Sequence, residues 1–500
     1  MPTITPSASL KLKPTVMRVG RRLLRVERGV LVVPERRLGG RTGSMQLPVV
    51  RFPGGRPGAE AVLRLGGGPG MTNLRFRPPA ALTGHDVVLV GYRGVDGSRV
   101  LRCPEVARAL RGVERDLLSP ASRRNLARAG AAAAERLERG GIDLAGYTIS
   151  EVVADLDDAR AALGYERISL LSESYGTRVA LLYAQHHPER VRRSAMLGVN
   201  PPGHFVWDAA TVDRQLGDFA DLAHSGLRRR TDRSELLRIV ADVLAGLPRR
   251  WRGLWVDPGK VRVLTFVLLF QRRTARLVID AYASARAGDL GGLALLSLSC
   301  DLVLPRLFVW GDFIAKAASA DYEPGRDYAV DLDPPRAVLG SPLSLLFFGG
   351  GPSWPVHRIP EEDRRVTPST VETLLIGGAL DVSTPADVAK SELLPYLARG
   401  SQIVAPGTGH VADLWGLHHD ALDQLLSRFF ADGVVDVRFD APPPEPDVRV
   451  GLPEIAHTLE GVTALAVGAS IRAVWKLYGS LRSREMAPNR PEGVSQIPDL

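Results

Sequence analysis

Cysteine is nearly absent from this chain, with only Cys103 and Cys300 in 500 residues. Two thiols exclude a disulfide framework and a four-cysteine zinc site, and allow one bridge at most. Long apolar runs are missing as well. The stretch around 293–296 is soon cut by Asp301, Pro305 and Arg306, so no integral membrane segment is expected. Residues 1–28 hold prolines and basic side chains but no apolar core of a secretory signal, and the expected location is cytoplasmic. Charge of one sign is not gathered either. The net charge of +9 rests mainly on arginines interleaved with Asp and Glu. Nucleic-acid recognition would need clusters such as Arg228–Arg230 or Arg249, Arg250 and Arg252 beside stacking aromatics on a recognised fold, so a solvated surface and no nucleic-acid partner are expected. No internal repeat is visible.

What is present is ordinary globular material, 45% apolar and 24% charged, long enough for two or three structural units. Short β-rich runs at 29–33, 45–52, 61–65 and 86–91 each end in a Gly- or Pro-rich turn. Over 149–164, Val152, Leu156, Ala159 and Leu163 recur at helical spacing and Gly164 is placed to cap the end. Strands follow at 167–171 and 193–199, with a helix between them. Such alternation predicts an α/β fold with a mainly parallel central sheet and helices on both faces. From 200 to about 365 the pattern turns to helical stretches, as at 208–224 and 234–247. Alternation then resumes with strands at 373–376 and 402–405 and helices at 385–397 and 420–430. The expected organisation is a tail over 1–26, a core in two parts (27–200 and 366–435) interrupted by a helical cap at 201–365, and a proline linker with a helical tail over 436–500. The tail helix, at 458–482, carries apolar residues with Arg472, Lys476 and Arg482, and reads as docked on the enzyme or lying on a membrane surface.

Ser172-Glu173-Ser174-Tyr175-Gly176 sits between an apolar run and a helical stretch. That is the setting of a nucleophile elbow, a strained strand-to-helix turn that exposes a serine hydroxyl and needs small flanking residues. Gly176 keeps the second glycine of the G-x-S-x-G pattern and Ser172 replaces the first. A nucleophilic serine needs a base and an acid to orient it. Asp381, just past the strand at 373–376, is the candidate acid, and His410, on the glycine loop after the next strand, is the candidate base. Alone, Asp381 reads as a helix cap and His410 as a solvated loop residue. The order Ser, Asp, His, each just beyond a predicted strand, is that of the α/β-hydrolase fold.

Gly66-Gly67-Gly68-Pro69-Gly70 follows an early strand, where backbone must approach a substrate closely. An N–H from Gly67 or Gly68, with that of Tyr175, would form the oxyanion hole. A phosphate loop would need a following Lys-Ser/Thr, which is missing. Glu173 reads two ways: as a cleft carboxylate holding a substrate cation, or as a buried structural acid.

These motifs, together with Gly91-Tyr92-Arg93-Gly94-Val95-Asp96-Gly97-Ser98, the Cys103-Pro104-Glu105 step and Asn200-Pro201-Pro202-Gly203, resemble the proline iminopeptidase and tripeptidyl aminopeptidase branch of the α/β-hydrolases, over about 27–430. The resemblance implies a Ser174, Asp381, His410 triad, a helical cap shaping a cleft for a peptide with a free N-terminus, and no metal or organic cofactor. Members often have Asp-Gln where this chain has Gly91-Tyr92, so contacts there differ. Asp208, Asp213, Asp218 and Asp221 are candidates for holding a substrate amine. The function expected is an aminopeptidase-type serine hydrolase. The alternatives are an esterase or other small-molecule hydrolase, a serine carboxypeptidase, which the scarcity of cysteine disfavours, and a binding protein without turnover. The oligomeric state is not legible.

Overall fold

The computed structural model describes residues 10–442, apart from 20–21, 38, 40–42, 56–57, 113–115, 221, 223–231 and 352, together with residue 452. The Arg228–Arg230 cluster, Asp221 and the tail helix expected at 458–482 lie outside the described residues, as does the proline linker beyond 442.

Among the described residues nine strands form one sheet: β1 (Lys13–Val19), β2 (Arg22–Pro34), β3 (Ser44–Phe52), β4 (Ala61–Leu65), β5 (Asp86–Val90), β6 (Ile168–Glu173), β7 (Val191–Leu197), β10 (Glu372–Gly378) and β11 (Gly400–Ala405). A two-stranded hairpin, β8 (Arg250–Trp251) and β9 (Leu254–Trp255), stands apart. The strand order is β1-β2-β3-β5-β4-β6-β7-β10-β11, with β1, β2, β3 and β5 paired antiparallel and every pair from β5 to β11 parallel. The expected mainly parallel sheet is therefore present, with an antiparallel edge. Every residue of β4 and β6 is buried, as strands covered on both faces should be.

Local signals explain the helices that flank the site. In helix Ile149–Ala162 the Thr148 side chain accepts from the Glu151 N–H, Glu151 lies in the first turn and Arg160 in the last, and Gly164 follows at a φ of +79°. Two expectations are corrected. The first strand was placed at 29–33, whereas β2 begins at Arg22 and a further strand, β1, pairs with it. Lys13-Pro14 reads as tail, but a proline is tolerated on an edge strand. The single helix expected at 385–397 is broken into Ala386–Val388, a wider turn at Ala389–Leu393 and a tight turn at Leu394–Tyr396. Pro395 has no N–H to continue an α-helix.

Between β7 and β10 the regular structure of the described residues is helical apart from the β8–β9 hairpin, with Ala209–Asp218, Arg233–Ala245, Pro258–Leu268, Arg272–Arg286, Gly291–Leu307 and Trp310–Asp321 as its main members. Among the described residues no single helix is long and apolar enough to cross a membrane. Gly291–Leu307 and Trp310–Asp321 pass that test only as a pair, bent by 77°.

Behind the sheet's central turn, Arg93 is fully buried and paired through Nε and Nη2 with Asp155 at 2.6 Å each, while its Nη1 donates to the carbonyl of Glu35 at 2.8 Å. Burial works against the guanidinium, and the Asp155 charge and hydrogen bonds together with the Glu151 charge more than offset it. Removing one partner of such a pair costs roughly 3–5 kcal/mol.

Candidate active site

The site lies where β4, β6, β7 and β10 end. Ser174 follows β6 directly, with φ 52° and ψ −121°, and helix Tyr175–His186 starts at the next residue. A serine holds that left-handed conformation only when its surroundings impose it. They do so on three sides. The Ser174 N–H donates to the Leu197 carbonyl of β7 at 2.8 Å, and the Ser174 carbonyl accepts from the Thr177 N–H and hydroxyl at 2.9 and 2.7 Å. The helix also lies so close to β4 that a Cβ on Gly176 would collide with the Leu65 carbonyl. Ser172 is fully buried and donates to the Ala195 carbonyl at 3.2 Å, so it serves the turn as more than a substitute for glycine.

The structure brings Asp381 and His410 side by side. His410 Nδ1 lies 2.7 Å from Asp381 Oδ2. The Asp381 carboxylate has no solvent exposure. Its Oδ1 accepts from the Ser383 and Thr384 N–H groups at 2.9 Å each, and Oδ2 also accepts the Thr384 hydroxyl at 2.8 Å. All of its accepting capacity is thus spent on fixing its own loop and the imidazole. The His410 ring packs against the end of β7, where a Cβ on Gly198 would be 2.8 Å from its Cε1. Ser174 is tied to Leu197, one residue earlier, so nucleophile candidate and base candidate flank the same strand end.

Of the two glycines expected to supply an oxyanion N–H, Gly67 is the one at the serine: a Cβ there would sit 3.2 Å from Ser174 Cβ and 3.8 Å from Oγ. Gly68 faces Met71 and Gly70 instead, with a φ of +137°. The Tyr175 N–H, first in its helix, has no partner within that helix. The loop is anchored beneath by Asn73, whose Oδ1 accepts the Gly66 N–H at 2.7 Å, and by the Tyr92 hydroxyl, which donates to the Gly66 carbonyl at 3.1 Å.

Glu173 takes the structural course of its two readings. Its Oε2 pairs with Arg64 Nη2 at 2.5 Å and its Oε1 accepts from Trp415 Nε1 at 3.0 Å. Both oxygens are engaged within the protein, and the side chain is 8% exposed. Cys103 and Cys300 are both free and buried, and burial pushes the Cys103 thiol up to about 12.

Several residues at the site were not anticipated. Thr384 bridges acid and base, with its hydroxyl 3.2 Å from His410 Nδ1. The helical insertion reaches the histidine loop directly: the Phe270 carbonyl accepts the His410 N–H at 2.7 Å, and Asp413 Oδ2 accepts the N–H groups of both Gly409 and Arg272, at 3.0 and 2.7 Å. An aromatic row, Trp207, Phe266 and Phe270, runs up to His410, with the Phe270 and His410 rings 5.6 Å apart. A small depression beside the acid's loop is lined among others by His204, Trp207, Asp208, Ser383 and Thr384. Only the Asp-x-x-Thr spacing after Asp381 was visible in sequence; the rest depends on the insertion's seating.

Two family models match, one described as alpha/beta hydrolase fold over residues 60–257 and one as TAP-like protein over 352–441. The tripeptidyl aminopeptidase of Streptomyces lividans is 32% identical over 167 residues, 30% of each chain. The serine protease Hip1 of Mycobacterium tuberculosis is 45% identical over 51 residues, 10% of each. The matched part is thus under a third of the length of these curated relatives. A solved serine hydrolase of Cycloclasticus zankles is 12% identical with a TM-score of 0.38, covering 82% of this chain and 100% of that one. With one model matching the first part of the chain and the other its last described part, the chain has the α/β-hydrolase fold and is similar, over the parts matched, to serine peptidases of the tripeptidyl aminopeptidase kind.

Proposed function

We propose that the protein is a serine hydrolase of the aminopeptidase type that cleaves an amide bond near a free amino terminus through an acyl-enzyme. The observation that carries the reading is the strained Ser174 beside the 2.7 Å His410–Asp381 pair, at the ends of adjacent strands. Ser174 Oγ attacks the carbonyl carbon while His410 Nε2 takes its proton, because Nδ1 is committed to Asp381. The negative charge that develops on the carbonyl oxygen meets the N–H groups of Gly67 and Tyr175. Collapse breaks the C–N bond, and the leaving amine takes the proton from His410. A water molecule, deprotonated in turn by His410, then releases the acyl group. No metal or cofactor enters this chemistry. Two free thiols fit a reducing compartment, in keeping with the cytoplasm.

Among the acidic residues expected to hold an amine, Asp213 accepts the N–H groups of Val338, Leu339 and Gly340, and Asp218 pairs with Arg233. Asp208 uses one oxygen to cap its helix and lines the depression beside Thr384, which makes it the best placed of the three. The aromatic row beside His410 favours a second reading, an esterase or other small-molecule hydrolase with an apolar acyl wall.

The test is hydrolysis of one short peptide amide reporter with a free and with a blocked amino terminus, with Ser174→Ala as control. Cleavage of only the free-amine form, lost in Ser174→Ala, is expected. Cleavage of neither, with turnover of simple esters, would replace the peptidase reading by the second. Wild-type rates in a folded Ser174→Ala would overturn both.

A further inference from the structure

The helix Trp310–Asp321 of the insertion carries a buried ion pair that the chemistry above does not use. Asp312 is 1% exposed and Lys316, one turn on, is fully buried; Asp312 Oδ1 pairs with Lys316 Nζ. Burial pushes the Asp312 carboxyl up and the Lys316 ammonium down, and each charge is held by the other. Such a pair contributes little net stability, because desolvating two charges costs about as much as their attraction returns, and an apolar pair of similar volume is often as stable or more so. Its location suggests another role.

Asp312 Oδ2 accepts the Gly70 N–H at 3.0 Å, across 242 residues of sequence. The Gly70 carbonyl accepts from the N–H of Val309, the residue immediately before the helix, at 2.8 Å. Both backbone groups of Gly70 are therefore gripped by the same short segment of the insertion. Only glycine fits there: its φ is +80° and a Cβ would lie 2.9 Å from the Val309 carbonyl oxygen and 3.0 Å from Phe308 Cβ. Lys316 Nζ also donates to the Arg93 carbonyl at 3.2 Å, and Arg93 is itself locked onto Asp155. At Gly94 a Cβ would be 2.5 Å from Asp312 Oδ1, so this glycine leaves the space the carboxylate occupies. The helix start is packed equally closely, since a Cβ on Gly311 would be 2.9 Å from Cys103 Sγ. The Gly91–Gly94 and Cys103 motifs of the core thus make a seat for Asp312.

The other end of the same five-residue glycine loop is Gly66, fixed by Asn73 and Tyr92. Gly67 lies against Ser174 between these two anchors. We propose that Asp312, with Lys316 as its counter-ion, is a positioning residue for the oxyanion hole: from the insertion it holds Gly70, and through the loop it sets the Gly67 N–H toward the charge that develops on the substrate carbonyl. Asp312 touches no reacting atom. Its effect on rate comes from the aim of a donor that must be in place before the transition state forms. The inference rests on the serine-hydrolase reading.

The experiment compares wild type, Asp312→Asn and Asp312→Ala on an acyl reporter that wild type turns over, with a boronic acid that forms a tetrahedral adduct on a serine oxygen as a second probe. A fluorophosphonate that labels Ser174 in wild type, with the labelled peptide identified, checks the underlying reading. In Asp312→Ala, kcat is expected to fall roughly 10- to 100-fold, short of the ~10²–10³ that follows deletion of an oxyanion donor outright. KM should change by less than about twofold, and the boronate inhibition constant should rise by the factor that kcat loses, a correlation expected of transition-state stabilisation. Asp312→Asn keeps an oxygen for the Gly70 N–H and should fall between the other two. A folded Asp312→Ala with wild-type kcat, or a loss that resides in KM alone, overturns the proposal. If Asp312→Ala does not fold, Asp312→Asn decides, and kcat and boronate affinity both equal to wild type overturn it. Wild type that neither turns over acyl reporters nor is labelled at Ser174 would remove the serine-hydrolase reading itself, an outcome distinct from every variant result.

Discussion

The elbow at Ser174 and the helical insertion after β7 are built on different principles. At the elbow nearly every constraint is near in sequence: the Thr177 hydroxyl closes back on Ser174, the Leu197 carbonyl lies one strand away, and Ser172 bonds to Ala195 across the β6–β7 pair. The insertion's decisive contacts are remote. Asp312 grips Gly70 across 242 residues, and the Arg272 N–H meets Asp413 across 141. On the proposed reading, the nucleophile and the Tyr175 donor are encoded by a local pentapeptide, whereas the Gly67 loop and the His410 loop are held by a separate layer of helices resting on the core. Through Phe270, Arg272, Val309 and Asp312 the insertion contributes backbone and side-chain bonds to the loops that carry His410 and Gly67.

The comparison breaks first, and with the largest effect, at Asp381→Asn. Oδ1 of Asp381 accepts two backbone N–H groups, so an asparagine would keep its oxygen there and turn its NH₂ toward His410. The imidazole would then accept at Nδ1 and carry its proton on Nε2, the wrong tautomer for taking the Ser174 proton. We expect kcat to fall about 10⁴-fold with the fold intact, by analogy with the same substitution in other triads. Circular dichroism together with steady-state rates checks this, and a variant within tenfold of wild type would sink the assignment of Asp381. The remote contacts should give a smaller effect. Asp413→Ala removes the acceptor shared by the Gly409 and Arg272 N–H groups, so kcat should fall about tenfold while stability drops by ~1–3 kcal/mol for the buried N–H groups left unpaired. Urea titration beside kinetics separates the two; unchanged kcat would mean that the insertion's grip on the histidine loop has no catalytic consequence.

The same division explains what could be read from the sequence. The helix at 149–164 with Gly164 at its end and the strand-to-helix turn at Ser174 rest on signals within one helix or one strand-turn unit, and both were legible. β1 was missed because Pro14 reads as a break and Lys13 and Arg18 interrupt its β-formers; it is held as a strand by pairing with β2. The broken 385–397 segment was legible in principle, since Pro395 stands in its last turn. Glu173 could not be resolved from its neighbours, because its partners Arg64 and Trp415 lie 109 residues before it and 242 after. Asp312 sits in an apolar helix with no local pattern to mark it. What distinguishes it is the space left by Gly94 and the N–H offered by Gly70, which only the folded chain brings together.

A polar cluster at the opposite end of the core sharpens the contrast, since it should govern stability and leave turnover alone. Asp157 accepts from Arg160 Nε at 2.8 Å and the Tyr183 hydroxyl at 3.0 Å, and it pairs with Arg190, just before β7 begins at Val191. The site lies at the other end of that strand. Burial works to raise the Asp157 carboxyl, and hydrogen bonds from Arg160 and Arg190 outweigh it, so that it is lowered to about 2. A carboxyl whose folded pKa is depressed stabilises the fold fully above its unfolded value near 4, and the contribution is lost as pH falls toward 2. Asp157→Asn should therefore cost ~2 kcal/mol at pH 7, about 1 kcal/mol at pH 3 and a few tenths near pH 2, with kcat at pH 7 unchanged. Urea unfolding of both proteins across that range measures the gap. A gap that stayed constant with pH would show that the Asp157 charge is not what ties the turn before β7 to its helix, and a fall in kcat would mean that the two ends of the core are coupled.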